Sequence, residues 1–99
     1  MRVELLYFDG CPNWEVAEGR LTDALGDLGR GHVMIQRRRL ETLEEAEELH
    51  FFGSPTIRID GHDPFAQGSE QVGWSCRLYR TPAGLSGAPT TAQLLQVLS

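Results

Sequence analysis

The first apolar run, Val3 to Phe8, is interrupted only by Glu4, as expected of a strand buried on both faces at the centre of a sheet. Asp9-Gly10 ends it. From Trp14 onward the apolar residues fall at 14, 17, 21, 24, 25 and 28, with Glu15, Glu18, Asp23 and Asp27 on the intervening positions. That spacing predicts an amphipathic helix, opened by Pro12 at a first-turn position and ended by Gly29 and Gly31. His32 to Leu40 reads as a second strand, and the alternation of Val33 and Ile35 with polar neighbours suits a sheet edge. Thr42 followed by Glu45 has capping-box spacing and opens a short acidic helix that ends near His50.

Phe52-Gly53-Ser54-Pro55 breaks that helix, and Thr56-Ile57-Arg58-Ile59 alternates as a third strand. The connection from Gly61 to about Gln71 is long for a hairpin, and Val72 to Tyr79 is expected to supply a fourth strand. After Pro82 and a Gly-rich loop, Thr90 or Thr91 caps a final helix with Leu94, Leu95 and Leu98 facing inward. The element order is βαβαββα. A βαβ start requires two parallel strands joined by a crossover, and a closing hairpin runs antiparallel to complete the sheet. The expectation is an α/β fold with a four-stranded mixed sheet and helices on both faces. With no repeat or linker in the chain, residues 1–99 read as a single domain.

Composition narrows the function. The 99 residues, 40% of them hydrophobic, suffice for one core without a covalent staple, which leaves Cys11 and Cys76 for chemistry. No apolar run approaches the roughly 20 residues of a membrane span, so no membrane partner is expected. A net charge of −5 disfavours nucleic acid, although Arg37-Arg38-Arg39 reads either as a small anion-binding patch or as a solvated edge strand. The N-terminal stretch is short, contains Glu4 and is followed by no small-residue cleavage site, which predicts a cytoplasmic protein. In that compartment sparse cysteines point to catalysis, redox sensing or metal binding.

Cys11 sits in Asp9-Gly10-Cys11-Pro12-Asn13-Trp14, between the first strand and the first helical turn. The unpaired N–H groups of a helix N-terminus stabilise a thiolate, the nucleophilic and metal-binding form of cysteine. The plainer alternative is a small buried hydrophobe. A buried first strand, a Cys-Pro site opening the first helix and a later Gly53-Ser54-Pro55-Thr56 opening a strand together resemble the thioredoxin-like superfamily over essentially the whole chain. Gly84-Leu85-Ser86 and Gln93-Leu94-Leu95 are similar to the last turn and helix of that fold. The resemblance implies that Cys11 is the nucleophile and that Pro55 is cis and lies beside its sulfur. It also implies that the backbone around Ser54-Pro55 offers an edge to an extended substrate or thiol ligand. Pro12, Trp14, Ser54, Pro55 and Thr56 are then the candidate substrate-contacting residues, the partner is a thiol-containing protein or small-molecule thiol, and no cofactor is required. The departure is Trp14, which stands where Cys-x-x-Cys proteins carry their second cysteine, so no disulfide can form within the motif. Trp14 also falls on the apolar stripe of its helix. For a glutathione carboxylate no lysine is available, and Arg58 is the substitute to consider.

Cys76, in Trp74-Ser75-Cys76-Arg77, lies 65 residues further on, in a strand expected to return toward the Cys11 end of the sheet. Its readings are a resolving thiol or a buried strand residue. Arg77, next to it, points to the opposite face in a strand and need not activate it. A helix-opening thiol followed by a distant Ser-Cys pair also resembles the thioredoxin-like catalytic half of organomercurial (alkylmercury) lyases. That resemblance implies mercury or another soft metal held by Cys11 and Cys76, with a carboxylate protonating the departing carbon. The family's carboxylate position is occupied by Trp14 here, and Asp9 is the nearby acid. His32, His50 and His62 show no zinc spacing, and Asp60-Gly61-His62-Asp63 reads as a turn. A third possibility is a non-catalytic interaction module presenting Phe51, Phe52 and Trp74.

Overall fold

The leading apolar run forms strand β1 (Val3–Tyr7) in the computed structural model, which describes residues 1–68 and 70–99. After it come α1 (Asn13–Asp27), β2 (Ile35–Arg39), α2 (Leu43–Glu48), β3 (Thr56–Ile59), β4 (Tyr79–Thr81), β5 (Gly84–Ser86) and α3 (Thr91–Leu98). β1 is the central strand of a three-stranded sheet ordered β2-β1-β3. β2 runs parallel to it, with Val3 opposite Ile35 and Tyr7 opposite Arg39, and β3 runs antiparallel, with Val3 opposite Ile59 and Leu6 opposite Thr56.

Side chains alternate along a strand, so β1 serves two cores. Val3 and Leu5, with Ile57 of β3, meet Ala17, Leu21, Ala24 and Leu25 of α1 and Leu94 and Leu98 of α3. Leu6, followed by Phe8, meets Leu40, Ala46 of α2, Phe51 and Cys11. Helices therefore cover both faces, as the pattern predicts. The caps act locally: the Thr42 hydroxyl accepts from the Glu45 N–H at 3.1 Å, and Thr90 and Gln93 form a reciprocal capping box. Pro12 has helical φ/ψ but stands immediately before the first residue of α1 rather than inside its first turn.

β2 is the solvated edge the sequence suggests. Arg37 forks onto Glu18 of α1, and Arg39 contacts Asp9 at 3.2 Å and Glu41 at 2.7 Å. Hydrogen bonding to Glu18 and to Glu41 raises the pKa of Arg37 and Arg39, respectively. Two of the three arginines are thus paired with carboxylates, as suits a solvated edge strand.

The sheet stops at three strands where four are expected. Val72 to Leu78 contains no strand, and β4 pairs instead with β5 in a separate two-stranded hairpin, with Tyr79 opposite Ser86 and Thr81 opposite Gly84. The cause lies in how the preceding segment is pinned. Trp74 stacks on Phe8 with centroids 4.6 Å apart, and Arg77 turns inward to Asp63, so only a one-residue parallel bridge, Ser54 to Cys76, forms beside β3. Among the described residues no helix is long and apolar enough to cross a membrane.

Candidate functional site

Cys11 follows the turn that ends β1, its N–H donating to the Phe8 carbonyl at 3.4 Å, and lies two residues before α1 begins. Its side chain is fully buried against Leu6, Phe8, Leu40, Ala46 and Phe51. The two cysteines that chain length alone leaves free are bonded to each other. Cys11 and Cys76 form a disulfide with Cα atoms 5.8 Å apart, inside the range such a bond needs. Cys76, unlike Cys11, is exposed.

Four groups of contacts bring Cys76 to this place. The Ser54 N–H donates to the Ser75 carbonyl at 2.8 Å and the Ser54 carbonyl accepts from the Arg77 N–H at 2.9 Å, so Ser75-Cys76-Arg77 lies along the backbone of Ser54. The Gly73 N–H donates to the Phe51 carbonyl at 3.1 Å. Trp74 covers Phe8. Arg77, itself buried, donates to Asp63 at 2.5 Å and to the Thr56 hydroxyl at 3.5 Å, with its guanidinium 4.5 Å from the Tyr79 ring centroid. Gly53 makes room for this approach: its φ is 107°, and a Cβ there would stand 3.0 Å from both the Arg77 Cβ and the Ser75 carbonyl oxygen.

The Ser54–Pro55 bond is cis. Ser54, Pro55 and Thr56 are all buried, the Ser54 hydroxyl accepts from the Phe8 N–H at 3.3 Å, and the Thr56 hydroxyl donates to the Gly53 carbonyl at 2.6 Å. The Tyr79 hydroxyl donates to the Pro55 carbonyl, and burial pushes the pKa of that phenol up. The edge at Ser54, expected to receive a ligand, is occupied by the chain's own Ser75-Cys76-Arg77.

The remaining candidates are scattered or committed elsewhere. Trp14 is half-buried, stacks on Tyr7 at 4.3 Å and has the Arg37 guanidinium 5.2 Å from its centroid, which is the packing role its place on the helical stripe suggests. Pro12 is exposed. The Asp9 side chain is 69% exposed and engaged with Arg39. Arg58 donates to the Leu49 and His50 carbonyls at the end of α2, so it holds that helix rather than a ligand carboxylate. Phe51, expected on an exposed aromatic surface, is fully buried. Among the described residues no cluster of three or more His, Cys, Asp or Glu side chains is placed to hold a metal ion. A shallow groove of about 350 Å³ lies between Phe8, Gly10, Arg39 and Trp74, and neither cysteine lines it. The Asp63–Arg77 pair has no signature in the sequence, because two charged residues 14 positions apart share no periodicity that would link them. No family model, no curated protein and no solved structure matches this chain.

Proposed function

We propose that this chain is a small cytoplasmic, thioredoxin-like thiol–disulfide protein whose redox pair is Cys11 and Cys76, with a thiol-bearing protein or small-molecule thiol as its partner. The observation that carries the reading is the bonding of two cysteines 65 residues apart at the end of the central strand, one of them two residues before a 15-residue helix. Cys11 stands two residues before the start of α1, the position at which helix N–H groups act on a thiol, while its side chain lies in the apolar cluster of Leu6, Phe8 and Phe51. The βαβ start, the antiparallel β3 and the packing of α3 beside α1 support the thioredoxin-like reading of the fold, with a hairpin and a single bridge in place of the fourth strand.

The same proximity favours a second reading. Once reduced, the pair supplies two neighbouring thiolates, a donor set suited to a two-coordinate soft ion such as mercury(II) carried as cargo. Asp9 is engaged with Arg39, so the site fits binding better than cleavage of a carbon–metal bond.

Equilibration of the native protein across glutathione redox buffers, followed by acid quenching and mass tagging of free thiols, tests the redox function. The expected result is one two-electron transition between disulfide and dithiol without loss of the folded circular-dichroism spectrum. A pair that stays oxidised until the protein unfolds is a structural staple and rules the function out. Native mass spectrometry of the reduced protein with mercury(II) separates the second reading, which requires one ion per chain and loses it in Cys76→Ser.

A further inference from the structure

The family resemblance implies attack by Cys11, but the two cysteines are not equally exposed: Cys11 is fully buried and Cys76 is an exposed residue. We infer that the oxidised pair is opened at Cys76 by a low-molecular-weight thiol, with Cys11 as the leaving thiolate; this rests on the redox reading above.

Thiol–disulfide exchange requires the incoming thiolate to approach one sulfur from the side opposite the bond that breaks, so access decides which sulfur is struck. Cys11 has 0% exposure, and Leu6, Phe8, Leu40, Ala46 and Phe51 pack around it. An attacker would have to displace part of that core. Cys76, by contrast, is an exposed residue of the segment that pairs with Ser54.

The step balances as follows. A thiolate RS⁻ bonds to the Cys76 sulfur, the Cys11–Cys76 bond breaks, and Cys11 departs as a thiolate. A second RS⁻ then attacks the R-bearing sulfur of the mixed disulfide, releasing RSSR and the Cys76 thiolate, and both protein thiolates equilibrate with solvent protons. Two thiols are oxidised for each disulfide reduced.

The thiol's class follows from the occupied edge. A cysteine within an extended peptide gains affinity by pairing with a free strand edge. Here the Ser54 N–H and C=O are both taken by Ser75 and Arg77, and Arg77 is anchored by its buried pair with Asp63. A peptide finds no backbone partner beside the sulfurs without displacing that anchor, so a small thiol loses nothing by comparison.

Oxidised wild-type protein is mixed with glutathione, the reaction is quenched after short intervals with excess iodoacetamide, and the glutathionylated and alkylated cysteines are mapped by peptide mass spectrometry. The expected products carry glutathione on Cys76 and the alkyl group on Cys11. Glutathione on Cys11 overturns the assignment while leaving the redox function intact; no adduct on either sulfur overturns both. The folded variants Cys11→Ser and Cys76→Ser provide a second measurement with a bulky maleimide. The thiol of Cys11→Ser is expected to react at least about tenfold faster than that of Cys76→Ser, and equal or reversed rates overturn the assignment. A cysteine-bearing extended decapeptide of matched thiol pKa is expected to open the pair no faster than glutathione; an advantage of about tenfold or more would overturn the small-thiol class.

Discussion

Arg77 anchors the segment that carries Cys76. It is a buried cation held by Asp63, by the Thr56 hydroxyl and by the face of Tyr79, while its backbone N–H pairs with Ser54 one residue from the disulfide. Removing one partner of such a pair leaves the other charge buried and uncompensated. Asp63→Ala is therefore expected to lower the unfolding free energy by about 3–5 kcal/mol in urea titrations, and the double substitution Asp63→Leu/Arg77→Met to recover most of it. A single-variant loss below about 1 kcal/mol would mean that the pair is effectively solvated. Little of this was legible in the sequence. Cys11 could be placed because strand end, turn and helix start are contiguous, and Trp14 because it lies on a helical stripe. Arg77 and Asp63 are joined by folding alone, and so are Ser54 and the segment that covers it.

The elements that the pattern places correctly bury a continuous face or carry their own caps. β1 and α1 follow apolar periodicity, and α3 begins just after Thr90 because the Thr90 hydroxyl and the Gln93 side chain satisfy each other's backbone N–H groups. Thr90→Ala removes half of that box and is expected to cost about 1 kcal/mol, read as a lowered denaturation midpoint with an unchanged slope. A midpoint within error of wild type would show that packing of Leu94 and Leu98 alone sets the helix start. The misplaced strand has a physical explanation. Apolar and polar residues alternate from Val72 to Leu78, but a strand also needs a partner to pair with, and the Trp74 stack and the Arg77 anchor leave only one bridge's worth of contact at Ser54. Pairing moves to β4 and β5, where a tight turn makes it local.

For the molecule as a whole, the radius of gyration of 12.6 Å is that of a fully collapsed chain of this length, about 13 Å. One covalent bond of sequence separation 65 joins the end of β1 to the segment beside β3. On the chain-entropy account, opening a loop of that size is expected to lower stability by about 4 kcal/mol, measurable as the difference in unfolding free energy between the oxidised and the reduced, alkylated protein. A difference near zero would mean that the unfolded reduced chain already keeps these regions together. Small-domain stabilities are about 5–15 kcal/mol, so the reduced form is expected to remain folded but with a narrower margin.

The same bond divides the chain mechanically. β1, β4, β5 and α3 lie outside the covalent ring, while α1, β2, α2 and β3 lie inside it. Pulled by its two ends, the oxidised molecule can extend only its outer segments, to about 120 Å, whereas the reduced one can extend to about 340 Å. Redox state is thus written into the molecule as contour length, and a single tether carrying the chain under load would lengthen nearly threefold when one bond opens.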